Sequence, residues 1–257
     1  MGLARLMGVT WLFHLKSLSN SSFFLLVAIL QPIIFASIAF FMFESGQQGG
    51  TLLYAALGAG LMGIWSSTLF GSGGSIQWQR WQGTLELLIA APARFIWVLL
   101  PLTLATASIG LYSIVATLLW GWVFFGMPLE LAEPWLFALA LPVTIVSLGL
   151  LGLLLASTFV LYRNANAFSN LLEYPIWLVT GMLVPLSLLP GWTAWISWVL
   201  APTWGIEAIR NAALGVGEVW PAIGMCALLG AVYLALGAVF LQNFERLARE
   251  KATLSLT

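Results

Sequence analysis

The sequence predicts an all-α integral membrane protein, and three observations carry that expectation. Apolar runs of about 20 residues, the length that spans a bilayer, fill almost the whole of its 257 residues. Only 7% of the residues are charged and 61% are hydrophobic, whereas soluble domains carry about 25% charged residues. The mean hydropathy of +1.01 leaves no water-facing surface for a soluble globule. Third, the few charges sort into alternate loops. Six spans are expected, at Phe23–Phe43, Leu52–Gly73, Phe95–Phe125, Trp135–Tyr162, Phe168–Leu189 and Trp220–Asn243. With the N-terminus in the cytoplasm, Arg5, Lys16, Arg80, Arg94, Arg163, Arg246, Arg249 and Lys251 all fall inside, and only Arg210 falls outside. The outer loops hold Glu44, Glu130, Glu133, Glu207 and Glu218. This positive-inside arrangement places both termini in the cytoplasm.

The N-terminal stretch has no long apolar core ending in a small-residue cleavage site, so it reads as mature protein. The first span contains Gln31-Pro32 and the third contains Pro101, where kinks are expected. The third and fourth spans exceed the bilayer requirement, which tilt absorbs. Small residues recur at helical spacing: Ala55, Ala59 and Gly63 in the second span, Gly152 and Ala156 in the fourth, and Ala227, Ala231 and Ala235 in the sixth. Such faces let helices approach closely, within the chain or between two copies. Trp135, Trp192, Trp195, Trp198, Trp204 and Trp220 cluster at the outer boundary, as an interfacial belt or as a stacking site for an aromatic ligand.

Between the second and third spans lies an amphipathic segment, residues 75–92. Read as one helix, it places Trp78, Trp81, Leu85 and Leu88 on one face and spreads Gln77, Arg80, Thr84 and Glu86 over the rest. Gly83 weakens it in the middle and Pro92 ends it. It is either an interfacial connector or a docking element for a cytoplasmic partner. Glu173 falls about one turn into the fifth span, after Asn164, Asn166 and Asn170. A carboxylate there is costly and marks a candidate functional site. It lines an entrance or gate, or it sits at the interface and pairs with Arg163. The long connection from Leu189 to Trp220 is broken by Pro190 and Pro202, so short or re-entrant helices are expected over 190–218. Glu207 and Arg210 are one turn apart and can pair, either as a surface ion pair or as part of an outer gate.

Several functions are excluded by what the chain lacks. Net charge is zero, so no basic surface invites nucleic acid. One histidine, one cysteine and no aspartate supply neither a metal cluster nor a nucleophilic triad. No phosphate-binding loop is present, since Gly71-Ser-Gly-Gly74 lacks the lysine. No span carries a ring-forming charge pattern, which disfavours a channel.

Two motifs supply a resemblance. Arg80-Trp-Gln-Gly-Thr-Leu-Glu-Leu-Leu-Ile-Ala-Ala-Pro92-Ala-Arg94 is similar to the E-x-x-x-G-T-x-E-x-L-x-x-x-P signature of type-2 ATP-binding-cassette (ABC-2) transporter permeases. The stretch Gly181-Met-Leu-Val-Pro185-Leu-Ser-Leu-Leu-Pro190-Gly-Trp, followed by Pro202, Glu207 and Arg210, resembles the family's C-terminal pattern. Here Gln77, Gln79 and Gln82 stand where family members often place an acidic residue.

The resemblance implies a single permease domain over residues 1–257, with an interfacial N-terminal helix at 1–20 and a coupling helix at 75–92. It implies that Arg80, Gly83, Thr84 and Glu86 contact a separate cytoplasmic ATPase, present in two copies. That partner holds ATP and magnesium, and this chain binds no cofactor or metal itself. Asn170 and Glu173 become candidates for the translocation path, and Pro190, Glu207 and Arg210 for the outer gate. The implied function is the membrane subunit of an exporter in the cell membrane, paired with a second permease and embedded in lipid. Its cargo would be hydrophobic or amphipathic, such as a lipid, drug, peptide or lipid-linked glycan. A membrane-embedded sensor without transport shares the same topology.

Overall fold

The computed structural model describes residues 3–46, 52–83, 94–159 and 165–251. Helices α1 (Leu3–Ser19), α2 (Ser22–Gly46), α3 (Leu52–Trp81), α4 (Ile96–Ile109) and α5 (Leu111–Phe125) form the first half. Helices α6 (Pro134–Phe159), α7 (Ala165–Val179), α8 (Thr193–Trp198), α9 (Ala201–Leu214) and α10 (Val219–Lys251) form the second. A 3-10 turn at Leu186–Leu188 precedes α8, and no strand occurs among the described residues. The chain is a multi-pass membrane protein of helices, as the composition dictates.

Among the described residues, five helical stretches are long and apolar enough to cross a membrane: Phe24–Phe41, Leu52–Gly74, Ile96–Phe125, Pro134–Phe159 and Val219–Arg246. The fifth expected span, Phe168–Leu189, is not one helix. Helix α7 has 15 residues, about 22 Å at about 1.5 Å per residue, short of the roughly 30 Å hydrocarbon layer. It stops because Gly181 adopts φ +79°, a left-handed conformation that ends helices.

Helix α3 is the centre of the bundle. Its apolar stretch is 89% buried, and α2, α4, α5, α6, α7 and α9 all pack on it. The predicted small face works as expected here: Gly63 lies against Ser113 of α5 and Pro32 of α2. That close approach solves a problem created by Pro32. A proline inside a helix leaves the carbonyl four residues earlier without a partner. Here that carbonyl is Ala28 O, and the Ser113 hydroxyl donates to it at 2.6 Å. Gly152 likewise faces Thr68 and Ser72. The third small face is different: Ala227, Ala231 and Ala235 are exposed, while Gly230 and Gly237 make the contacts of α10 with α6. The third span is broken at Gly110, between α4 and α5, whereas Pro101 sits inside α4 without ending it.

Local hydrogen bonds fix the ends. Ser21 Oγ accepts from Phe24 N–H at 3.4 Å, capping α2. Helix α1 lies on α4, tied by Trp11 Nε1 donating to Ser108 Oγ at 3.3 Å. Its Arg5 and Lys16 are both exposed. At the opposite end of the chain Glu245 of α10 accepts from the Phe95 N–H at the start of α4, where a carboxylate suits the helix N-terminus.

Candidate functional site

Three places were singled out by sequence, and the structure treats each differently. The segment 75–92 does not begin a helix of its own. Residues 75–81 are the last turns of α3, with Ile76 2% exposed in the packed part and Trp81 69% exposed at the end. The helix stops at Gly83, whose φ of +66° suits a residue without Cβ. Arg80 belongs to the last turn of α3. Thr84, Glu86 and the remainder through Pro92 lie outside the described residues. A contact to residues 75–81 is therefore a contact to the end of the helix that runs through the middle of the bundle.

The second place is Glu173. Its side chain is 4% exposed on α7, and its Oε1 accepts two hydrogen bonds. Ser66 of α3 donates at 2.7 Å, and Gln31 of α2 donates through Nε2 at 3.1 Å. Both donors are neutral, and no ion pair to Glu173 occurs among the described residues; Arg163, the expected partner, lies outside them. Around it, Trp177 of α7 meets Phe35 of α2 edge-on at 4.9 Å between ring centroids and Tyr174 at 5.0 Å. The register is consistent: Gln31 and Phe35 on α2 are one turn apart, as are Glu173 and Trp177 on α7. Asn170 is exposed and takes no part in this cluster. Gln31 and Ser66 were not picked out from sequence as functional. The available signal was an uncharged amide beside a proline in the middle of an apolar run.

The third place is Arg210. It is not a surface residue and does not pair with Glu207. It is 7% exposed, and its guanidinium fans onto three backbone carbonyls. Nη1 donates to Gly181 O at 2.6 Å. Nη2 donates to Met182 O at 3.2 Å and to Tyr54 O at 3.3 Å. Its Cζ stands 3.4 Å from the centroid of the Tyr54 ring, in reach of a cation–π attraction. Gly58 makes room, since a Cβ there would lie 2.6 Å from Nη2. The arginine thus caps the C-terminal end of α7, where a cation is favoured, and ties it to the start of α3. Burial pushes its pKa down to about 10, partly offset by Tyr54, so it stays charged at neutral pH.

Helix α9, which carries Arg210, is itself pinned at both ends. Tyr233 of α10 accepts from Ala201 N–H at 3.0 Å and donates to Val199 O at 2.7 Å. Beyond the other end, Ala132 and Glu133 N–H groups donate to Ala213 O and Ala212 O at 3.0 and 2.9 Å. Short helices in this connection are thus observed.

Glu207, one turn before Arg210, is exposed. Partial burial raises its carboxyl pKa. With Pro190 it lines a cavity of about 190 Å³ beside α8. Of the six boundary tryptophans, Trp135, Trp192, Trp195, Trp198 and Trp220 are exposed, as a belt requires. Trp204 turns inward and donates to Trp198 O at 3.0 Å.

A family model described as ABC-2 type transporter matches residues 6–214. A curated relative, the linearmycin resistance permease protein LnrN of Bacillus subtilis (strain 168), is 26% identical over 172 residues. That match covers 63% of this chain but only 42% of the relative, so the chain spans less than half of the curated relative it matches.

Proposed function

The chain belongs to the ABC-2 type transporter membrane family, and on that premise we propose that it is a permease subunit of an ATP-driven exporter. Permeases of this family work with an ATP-binding partner. Two ATPase copies and a second permease, identical or homologous, would complete the machine in the cell membrane. The cargo would be hydrophobic or amphipathic and would leave from the cytoplasm or inner leaflet. Outward movement draws support from the relative's name, which describes a resistance permease.

Six crossings with both termini inside remain the topology that best accounts for the charges. In this reading α7 and the irregular segment to Leu188 together make the fifth crossing. Non-helical backbone at membrane depth is tolerated where protein covers it, and Arg210 supplies that cover at Gly181 and Met182.

The observation that carries the mechanism is the continuity of α3. This one helix ends in the predicted ATPase-contacting segment, holds Ser66 against Glu173, and presents Tyr54 to Arg210. A push at its cytoplasmic end, through Arg80, Gly83, Thr84 and Glu86, would reach both the translocation-path carboxylate and the outer gate through one rigid element. Two arrangements of α3 relative to α7 would then bind cargo with different affinity, which is what transport requires.

The test is affinity purification of the tagged chain in mild detergent, followed by reconstitution with the co-purifying ATPase in vesicles. A stoichiometric ATPase and ATP-dependent movement of a fluorescent amphipathic dye out of the ATP-containing compartment are expected. A homo-oligomer without ATPase, or flux that ignores ATP, would overturn the proposal.

A further inference from the structure

The cavity on the outer side is bounded by Pro190, Trp198, Thr203, Trp204 and Glu207 among others, and holds about 190 Å³. Water occupies about 30 Å³ per molecule in the liquid, so the space suits a small headgroup rather than one solvent molecule.

Two polar groups in it find no partner among the described residues. Thr203 is 4% exposed, yet its Oγ1 has no hydrogen bond; an orphaned buried hydroxyl is costly and calls for an explanation. Glu207, one turn further along α9 on the same face, is the carboxylate that Arg210 does not answer, because Arg210 is turned onto the carbonyls of Gly181, Met182 and Tyr54. The remaining walls are mainly apolar and include two indole rings. An anion, an unspent hydroxyl acceptor and aromatic faces in one pocket are complementary to an ammonium group.

We propose that this cavity binds an alkylammonium group, with Glu207 supplying the charge, Thr203 Oγ1 accepting an N–H, and Trp198 and Trp204 walling the site. The ammonium could belong to a lipid headgroup of the outer leaflet or to the exported compound itself. The assignment rests on this region facing outward, but it stands apart from transport.

The experiment uses the full chain in nanodiscs of phosphatidylglycerol, without any ATPase, titrated with labelled ethanolamine. Saturable binding is expected, weakened tenfold or more by Glu207→Gln. Thr203→Val and Trp198→Leu, which leave the carboxylate in place, are expected to weaken it less. Each variant is checked for an unchanged melting temperature, so that a misfolded one is not counted. Non-saturable binding, or equal binding by wild type and all three variants, would overturn the proposal. A second titration in discs containing phosphatidylethanolamine separates the sources. Displacement of free ethanolamine there assigns the site to a lipid headgroup, and undiminished binding assigns it to cargo; both uphold the site. Because no ATPase is present, a failed titration leaves the exporter reading intact, and failed export leaves this site intact.

Discussion

Replacing Arg210 by methionine removes a charge, keeps a long side chain, and isolates what the guanidinium does. In the structure it satisfies Gly181 O, Met182 O and Tyr54 O. Met182 is 2% exposed, so water does not readily replace the lost donor. An unsatisfied buried carbonyl costs about 1–3 kcal/mol, and the two past the end of α7, Gly181 O and Met182 O, set a loss of about 2–6 kcal/mol. Burying the guanidinium is itself costly, and its Nε has no partner. Relief of that cost brings the expected net loss to about 3 kcal/mol. At about 2–4 °C per kcal/mol for a chain of this size, the apparent melting temperature should fall by roughly 6–12 °C. The assay is thermal unfolding of the purified protein in detergent, followed by circular dichroism at fixed scan rate. Arg210→Lys, which places a point charge without the planar fork, should fall between. A shift of less than about 1 °C for Arg210→Met would refute the idea that Arg210 joins α7 to α3. So would strictly additive effects of Arg210→Met and Gly58→Ala, because a Cβ at Gly58 lies 2.6 Å from the same guanidinium nitrogen and contacting sites couple.

Ser113→Ala should cost about 1–3 kcal/mol by stranding the Ala28 carbonyl, and should cost much less in a Pro32→Ala background, where the helix N–H is restored; equal costs in a double-mutant cycle would exclude the proposed compensation. Glu173→Gln should preserve folding and ATPase assembly while lowering export at least tenfold, read as ATP-driven flux; wild-type flux would remove Glu173 from the translocation path. Gly83→Trp forces a bulky residue into φ > 0, strained by about 1–2 kcal/mol, and should abolish permease-stimulated ATP hydrolysis without lowering the melting temperature by more than about 5 °C. Unchanged stimulation would argue against docking at the end of α3.

The amino-acid sequence alone determined what depends on composition and on local pattern. An apolar run of bilayer length must satisfy its backbone internally, so helices were unavoidable, and their approximate limits at Leu52, Phe125 and Trp135 could be read directly. Pro190 and Pro202 announced that the last connection is irregular, for reasons that lie in each residue's own backbone. The second half of the predicted fifth span was misjudged because hydropathy counts apolar residues and does not register a left-handed glycine as a helix end.

What the tertiary structure decided is which polar groups meet. Spacing placed Glu207 and Arg210 one turn apart and allowed them to pair, yet the carbonyls gathered by the end of α7 and the start of α3 form a better acceptor set for a buried guanidinium, and those carbonyls lie 28, 29 and 156 residues away. Glu173 was recognisable as an expensive residue, but its donors Ser66 and Gln31, 107 and 142 residues distant, look unremarkable in a membrane span until helix packing brings them to one point. A buried polar atom takes whichever partner the fold brings within about 3 Å, and that choice is made by three-dimensional packing, to which chain order gives no guide.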